Sequence, residues 1–219
     1  MKTTNEIILS CPLFSGMTEK ELENALLLFS AASRAYRRGS ILASAGEKLE
    51  RFGLVLSGTV QVSLIDIDGN PIIMASVTAG DTFGESLCWL RTQEIPVTIT
   101  AFTDASVLWL SPEELMPEKN GDCFACQMKY RFSSMLAQKT LAMNDRIQIL
   151  SKPSIRQKLI TFLSQCSVRY KGKTFSVPFD RETLALYLGV NRSALSRELS
   201  AMQKEGIIEF YKNTFKILK

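Results

Sequence analysis

The spacing of apolar and polar positions divides the chain into stretches of different period. Ahead of residue 37 the period is helical. Thr18 is placed to cap a helix, Glu21 stands three residues on to return a bond to the cap, and Met17 and Leu22 are spaced for a hydrophobic staple. This predicts a helix over 19–29 with Leu22, Leu26 and Phe29 on one face. From Arg37 to Leu110 the period shortens to that of strands. Apolar runs at 53–56, 60–65 and 72–77 lie between glycine turns at Gly39, Gly46, Gly58, Gly69 and Gly80. The run 60–65 alternates almost to its end, and Asp68-Gly69 between two such runs is a hairpin signal. Six or more strands at this spacing predict a compact β-barrel or jelly roll.

Ser111-Pro112-Glu113-Glu114 has the layout of a helix start, with serine at the cap and proline at the first helical position. After Asn120-Gly121 the longest helical pattern runs from Asp122 to about Leu150. Phe132, Leu136, Thr140, Met143, Ile147 and Leu150 form a coiled-coil-like seam, flanked by Met128, Met135, Ala142 and Ile149 seven residues apart. Such a helix is roughly 42 Å long at 1.5 Å per residue. The barrel or a second copy of the helix can cover that stripe. The second copy is the preferred reading and predicts a symmetric homodimer.

Ser151-Lys152-Pro153 ends the helix, and 154–166 is helical again with Ile155, Leu159, Phe162 and Leu163 on one side. A polar stretch over 167–176 leads to a short strand at Val177. Residues 180–199 then read as two helices joined by a tight turn. Asp180 caps the first, Leu184, Ala185 and Leu188 face inward, Gly189 supplies the turn, Val190 is its buried residue and Asn191 caps the second. Leu195, Leu199 and Met202 hold the second helix down. Arg192, Ser193, Ser196 and Arg197 are left on its outer face near the N-terminal end, the part of a recognition helix that enters a major groove. Arginine there can donate two bonds to guanine O6 and N7. Residues 205–217 read as two strands around Lys212-Asn213-Thr214, a wing.

Charge sharpens this division. The net charge is +4, yet residues 151–219 carry 13 Lys/Arg against five Asp/Glu, whereas residues 1–150 carry 13 against 17. A basic module behind a mildly acidic one points to nucleic acid as partner. The 219 residues contain no histidine, which excludes a Ser-His-Asp triad, a Cys-His dyad, a His-ligated zinc site and an ordinary histidine base. A cupin-type enzyme, which holds its metal with histidines, is disfavoured for the same reason, and the chain is read as a non-enzyme. No apolar run approaches a membrane span, and the five-residue apolar stretch behind the N-terminus is too short for a signal peptide. A cytoplasmic protein with five reduced cysteines and no membrane partner is expected. Cys123-Phe124-Ala125-Cys126 opens the long helix, where a thiol pair can act as a redox switch. Two small residues packed under the barrel is the alternative, and the preferred, reading of that pair.

Four segments in this order resemble the CRP/FNR family of bacterial transcription regulators. They are Arg38-Gly39-Ser40-Ile41-Leu42 with Gly46-Glu47, Leu56-Ser57-Gly58-Thr59-Val60-Gln61-Val62, Gly80-Asp81-Thr82-Phe83-Gly84-Glu85, and Leu188-Gly189-Val190-Asn191-Arg192-Ser193 with Ser196-Arg197. The resemblance implies an α+β chain. Its parts are an N-terminal double-stranded β-helix (a jelly-roll, cyclic-nucleotide-binding-like domain) over 1–117, a long dimerisation helix over 118–150 and a C-terminal winged helix-turn-helix over 151–219. It implies binding of double-stranded DNA at an inverted repeat through Asn191, Arg192, Ser193, Ser196 and Arg197, with Arg197 on a guanine in a TGA-like half-site core. The family often has glutamate where Ser193 stands, so the outer bases of the half-site are left unassigned. RNA polymerase enters as a further candidate partner.

The resemblance also implies a small-molecule effector. Cyclic-nucleotide-binding members follow Gly-Glu, about ten residues on, with an Arg-Ser pair that grips the phosphate. Here Gly84-Glu85 is followed by Ile95-Pro96, and Arg91 falls several residues early. Burying a phosphate without a paired guanidinium is costly. A neutral or carboxylate-bearing apolar ligand suits such a pocket better, with Gly84, Glu85, Leu87, Ile95, Pro96, Val97, Met135 and Leu136 as its candidate lining. Only Cys11 lies near the N-terminus, so the iron–sulfur cluster of oxygen-sensing members is not carried over, and no cofactor is assigned. The competing reading is a sensor module of the cyclic-nucleotide type that regulates a protein partner.

Overall fold

In the computed structural model, residues 3–65, 71–116, 123–177 and 179–218 are described. The Asp68-Gly69 turn, Asn120-Gly121 and the expected helix start at Asp122 lie outside them. By internal contacts the chain forms two compact units, Met1–Ala137 and Gln138–Lys219.

The first unit opens with two short helices whose starts are written in local chemistry. Thr3 and Thr18 each accept from the backbone N–H three residues on, while Glu6 and Glu21 accept in return from the cap N–H. These boxes begin α1 (Thr4–Ser10) and α2 (Glu19–Leu28). Eight strands follow: β1 (Ala32–Tyr36), β2 (Ile41–Ala43), β3 (Phe52–Ser57), β4 (Thr59–Ile65), β5 (Pro71–Thr78), β6 (Thr82–Phe83), β7 (Thr98–Ala101) and β8 (Ala105–Leu110). All pair antiparallel, in two four-stranded sheets of order β1-β8-β3-β6 and β2-β7-β4-β5. Consecutive strands alternate between the two sheets except at the β4–β5 pair, and the expected jelly roll is present.

β3 is buried over five consecutive residues, Phe52 to Leu56, so it lacks the alternation of a half-exposed strand. One face lies in the roll and the other is covered by Phe29 and the helices, with Phe29 and Phe52 edge to face at 5.9 Å. The contact belongs to a row of rings, Phe14–Phe29–Phe52–Phe132–Trp89, that crosses the unit's core. A short helix, α3 (Glu85–Trp89), separates β6 from β7. Gly84 caps it in the left-handed region at φ +79°, where a side chain would also meet Leu49. The helix expected from Ser111-Pro112 is only a single 3-10 turn, Glu113–Leu115, with Ser111 Oγ accepting from the Glu113 N–H.

The long helix α4 (Cys123–Leu150) contributes to both units. In the first, Met128, Phe132 and Met135 join the barrel core. In the second, Ile149 is sealed among Leu159, Phe162, Leu188 and Leu195. This corrects the single-seam reading: Phe132, Met128 and Met135 are covered by their own barrel. Leu141, Met143, Ile147 and Leu150 stay exposed.

The second unit continues with α5 (Ile155–Arg169), capped by Ser154 and running three residues beyond the expected end. β9 (Thr174–Ser176) precedes Val177 instead of including it. Then come α6 (Arg181–Leu188), α7 (Arg192–Lys204), β10 (Ile208–Tyr211) and β11 (Thr214–Ile217). β10 and β11 form the expected wing, and β9 adds a third strand on β11.

Candidate nucleic-acid interface and sensor site

The interface is built from the α6–turn–α7 hairpin upward. Asp180 Oδ1 accepts from the Thr183 N–H at 2.7 Å, which starts α6 and holds the Asp180 carboxyl below its usual range. Gly189 ends α6 at φ +61°, and a Cβ there would come within 3.1 Å of Leu150 Cδ2, so glycine answers both conformation and space. Lys158 Nζ donates to the Leu188 carbonyl at 3.1 Å, satisfying an acceptor that the helix end leaves open. Val190, read as buried, is half-buried. Asn191 Oδ1 accepts from both the Ser193 N–H at 2.9 Å and the Ser193 hydroxyl at 2.6 Å. Asn191 therefore works as the α7 cap, and the Ser193 hydroxyl spends its proton on that cap.

With Leu195, Leu199 and Met202 sealed beneath, Arg192, Ser193, Ser196 and Arg197 are all exposed. Ser200 and Lys204 extend the same solvent face, a continuation that the i, i+4 spacing from Ser196 would have shown. The helix is held from behind by Arg156. Its Nε donates to Glu198 at 2.6 Å, and its two terminal nitrogens donate to both oxygens of Glu205 at 2.7 Å. That fork holds the Glu205 carboxyl below its usual range. Nothing in the local spacing of α5 signals this clamp, since its partners lie 42 and 49 residues away. In the wing, the Arg181 guanidinium lies over Phe210 and Phe215 at 5.1 and 5.8 Å and donates to the Lys212 carbonyl at 2.9 Å.

The expected effector residues fall on three elements. Gly84, Glu85 and Leu87 lie at and within α3, Ile95, Pro96 and Val97 ahead of β7, and Met135 and Leu136 on α4. Ile95 and Met135 are each 1 % exposed and Glu85 is 6 % exposed, so these three are closed into the core. Leu87, Val97 and Leu136 are half-buried against the same cluster, and Pro96 faces solvent instead. Ile95 is pinned by two backbone bonds, donating to the Glu47 carbonyl at 2.8 Å and accepting from the Gly46 N–H at 2.9 Å. Met135 Sδ lies 3.9 Å from Thr82 Oγ1, beside the Gly84 turn. Two surface cavities, of about 640 and 550 Å³, share a wall at Lys48–Arg51, and neither lining includes any of the eight. Arg91 lines the larger one and lies 3.6 Å from Glu113, so its charge has a partner outside the expected pocket.

Cys88, on α3, donates to the Leu49 carbonyl at 3.2 Å. Burial, with Glu85 and then Glu50 adding to it, pushes its thiol up to about 12. Cys123 and Cys126 are exposed, which overturns the reading of that pair as packed under the barrel. Among the described residues no group of three or more His, Cys, Asp or Glu side chains is placed to hold a metal ion, and no helix is long and apolar enough to cross a membrane.

A β-roll joined through a long helix to a winged helix-turn-helix defines a two-part protein with a DNA-binding module. Comparison with known proteins gives the same division: a cyclic nucleotide-binding domain family matches residues 33–117 and a Crp-like helix-turn-helix domain family matches residues 157–219. The chain belongs to the CRP/FNR family of transcription regulators. The Cyclic AMP receptor protein of Thermus thermophilus is 24% identical over 206 residues, covering 94% of this chain and 92% of that protein. Electron transport regulator A of Shewanella oneidensis is 22% identical over 178 residues, covering 79% and 69%. In fold, the chain is similar to the Thermus thermophilus Catabolite Activator Protein, with a TM-score of 0.52 at 23% identity over 94% of this chain and 93% of that one. It is also similar to DNR from Pseudomonas aeruginosa, with a TM-score of 0.52 at 18% identity over 100% and 96%.

Proposed function

We propose that this regulator acts in the cytoplasm as a homodimer, binds an inverted-repeat DNA site and is gated through its β-roll by a small molecule or a redox signal. Residues 1–117 sense, 118–150 dimerise and 151–219 bind DNA. The observation that carries the reading is the exposed stripe Arg192, Ser196 and Arg197 on a capped and clamped α7 whose other face is sealed. Arg197 takes guanine O6 and N7, Arg192 and Ser196 set neighbouring positions, and Asn191 fixes the helix start while Ser193 packs beside it. Two such helices in a dimer meet half-sites about 34 Å apart, one turn of duplex.

For the effector, the apolar side chains Leu87, Ile95, Val97, Met135 and Leu136 favour a neutral or carboxylate-bearing apolar ligand. The Thermus thermophilus relative is named for cyclic AMP. In this chain Ile95-Pro96 offers no guanidinium to a phosphate. Entry of a ligand among these residues displaces the buried Met135 and with it α4, which supplies the allosteric link to the DNA-binding module.

The test is fluorescence anisotropy on a TGA-containing inverted repeat and on random duplex, across a salt series. Arg197→Ala is expected to weaken binding to the repeat about 5- to 150-fold, the equivalent of about 1–3 kcal/mol, and to leave affinity for random duplex little changed. A steep fall of affinity with salt accompanies DNA as partner. A flat salt response, with function surviving Arg192→Ala/Arg197→Ala, would contradict the reading and point to a protein partner.

A further inference from the structure

The five thiols sort by exposure into two kinds. Cys11, Cys88 and Cys166 are buried. Burial pushes Cys88 up to about 12 and Cys166 up to about 11, so both remain protonated and shielded near neutral pH. Cys123 and Cys126 are the exposed pair, and both stand in the first turn of α4. That turn is anchored on its other side, where Ala125 is buried, Met128 is sealed in the barrel core and Phe124 packs against it.

Helix geometry sets the separation of the pair. On a cylinder of radius 2.3 Å, with 100° and 1.5 Å per residue, Cα atoms three apart lie about 5 Å from one another. Disulfides span about 4.4–6.8 Å between Cα atoms, so the backbone already meets the requirement. The Cβ atoms of such a pair stand about 5–6 Å apart, whereas a disulfide holds them at about 3.5–4.5 Å. Closing the bond therefore tightens the first turn by about 1 Å, in the segment that seats Ala125 and Met128.

We infer that Cys123 and Cys126 form a reversible dithiol–disulfide site, the redox input to α4; this rests on the regulator reading above and specifies its signal. The oxidant is a hydroperoxide. The thiolate of one cysteine attacks a peroxide oxygen, the O–O bond breaks, and a sulfenic acid forms as water or an alcohol leaves. The second sulfur then displaces that hydroxyl, which leaves as water with the second thiol's proton as the S–S bond forms. Two electrons pass from the sulfurs to the peroxide, and a dithiol reductant returns them by exchange.

The experiment treats the full chain with hydrogen peroxide, quenches by alkylation and maps the products by intact mass and peptide mass. The expected product has lost two hydrogens per chain, carries one bond between Cys123 and Cys126, and reverts with dithiothreitol, while the three buried thiols stay unmodified. The same samples are then measured on duplex DNA. Oxidised and reduced chains are expected to differ at least about fivefold in Kd, and the difference should vanish in Cys123→Ser/Cys126→Ser. Disulfides between chains, sulfinic acid without a bond, equal affinity in the two states, or a difference that persists in the double variant each overturn the inference. A chain that forms the bond yet binds no duplex in either state overturns the regulator reading and with it the input role, while the mapped bond stands on mass alone.

Discussion

The two halves of α4 both carry apolar side chains, and these meet opposite fates. From Cys123 to Ala137, Phe124, Met128, Phe132, Met135 and Leu136 pack into or against the barrel core while Tyr130 stays exposed, and Phe132 is fully buried between Phe52 and Trp89. From Gln138 to Leu150 only Ile149 is buried, while Leu141, Met143 and Ile147 remain 57–64 % exposed. A heptad-like pattern thus reports that a helix has an apolar stripe, not what covers it. The first half is a wall of its own barrel. The second keeps an uncovered apolar stripe, and it lies in the same compact unit as α7.

That contrast can be broken by substitution. Phe132→Ala should have the largest effect, a loss of about 3–5 kcal/mol in chemical denaturation that does not depend on protein concentration. If the variant mainly changed oligomeric state, the first half would belong to the dimer seam after all. Ile147→Glu should do the reverse. Analytical ultracentrifugation is expected to show monomers, with dimerisation weakened by about 2 kcal/mol or more, roughly thirtyfold, while barrel stability stays within about 0.5 kcal/mol of the parent. An unaltered dimer would move the interface off this half of the helix.

Arg156→Ala comes next in size. The chain should stay folded by circular dichroism and lose affinity severalfold for its specific repeat but not for random duplex, because the clamp positions α7 without touching DNA. Equal losses on both DNAs would make Arg156 a phosphate contact instead. The smallest effect is on pH dependence. Glu205 and Asp180 have folded values depressed below the usual 4.5 and 3.8, by the Arg156 fork and by the Thr183 N–H respectively. A depressed carboxylate adds stability above its unfolded value, and loses it as pH falls through the lower folded one. Thermal melts of the 138–219 unit should therefore fall off as pH drops below about 4. In Arg156→Ala only the Asp180 share of that fall should remain.

What was legible in the sequence was what local chemistry decides. Thr18, Asp180 and Asn191 cap where their spacing places them, and Gly189 takes the left-handed turn that no other residue type adopts as cheaply. The helix-turn-helix was readable because one short segment holds all its signals. β1 was not, since Ala32–Tyr36 is a largely exposed strand that, among the described strands, pairs with β8 alone, so it carries no apolar alternation. The expected helix at Ser111 has a start signal, but the backbone turns extended at Met116 after a single 3-10 turn. For the sensor site, composition showed that Ile95, Val97, Met135 and Leu136 are apolar. It did not show that Ile95 and Met135 are packed shut, which depends on strands and a helix far apart in the chain. Exposure of Cys123 and Cys126 depends in the same way on which side of α4 the barrel takes.

Selection from random duplex DNA with the reduced full-length chain tests the central claim most directly. Enrichment of an inverted repeat with TGA-like cores about one helical turn apart is the predicted result, with loss of preference at the guanine for Arg197→Ala. Recovery of isolated single half-sites would contradict the dimer. Failure to enrich any sequence, with cell extract supplied as a source of effector, would contradict sequence-specific DNA binding itself.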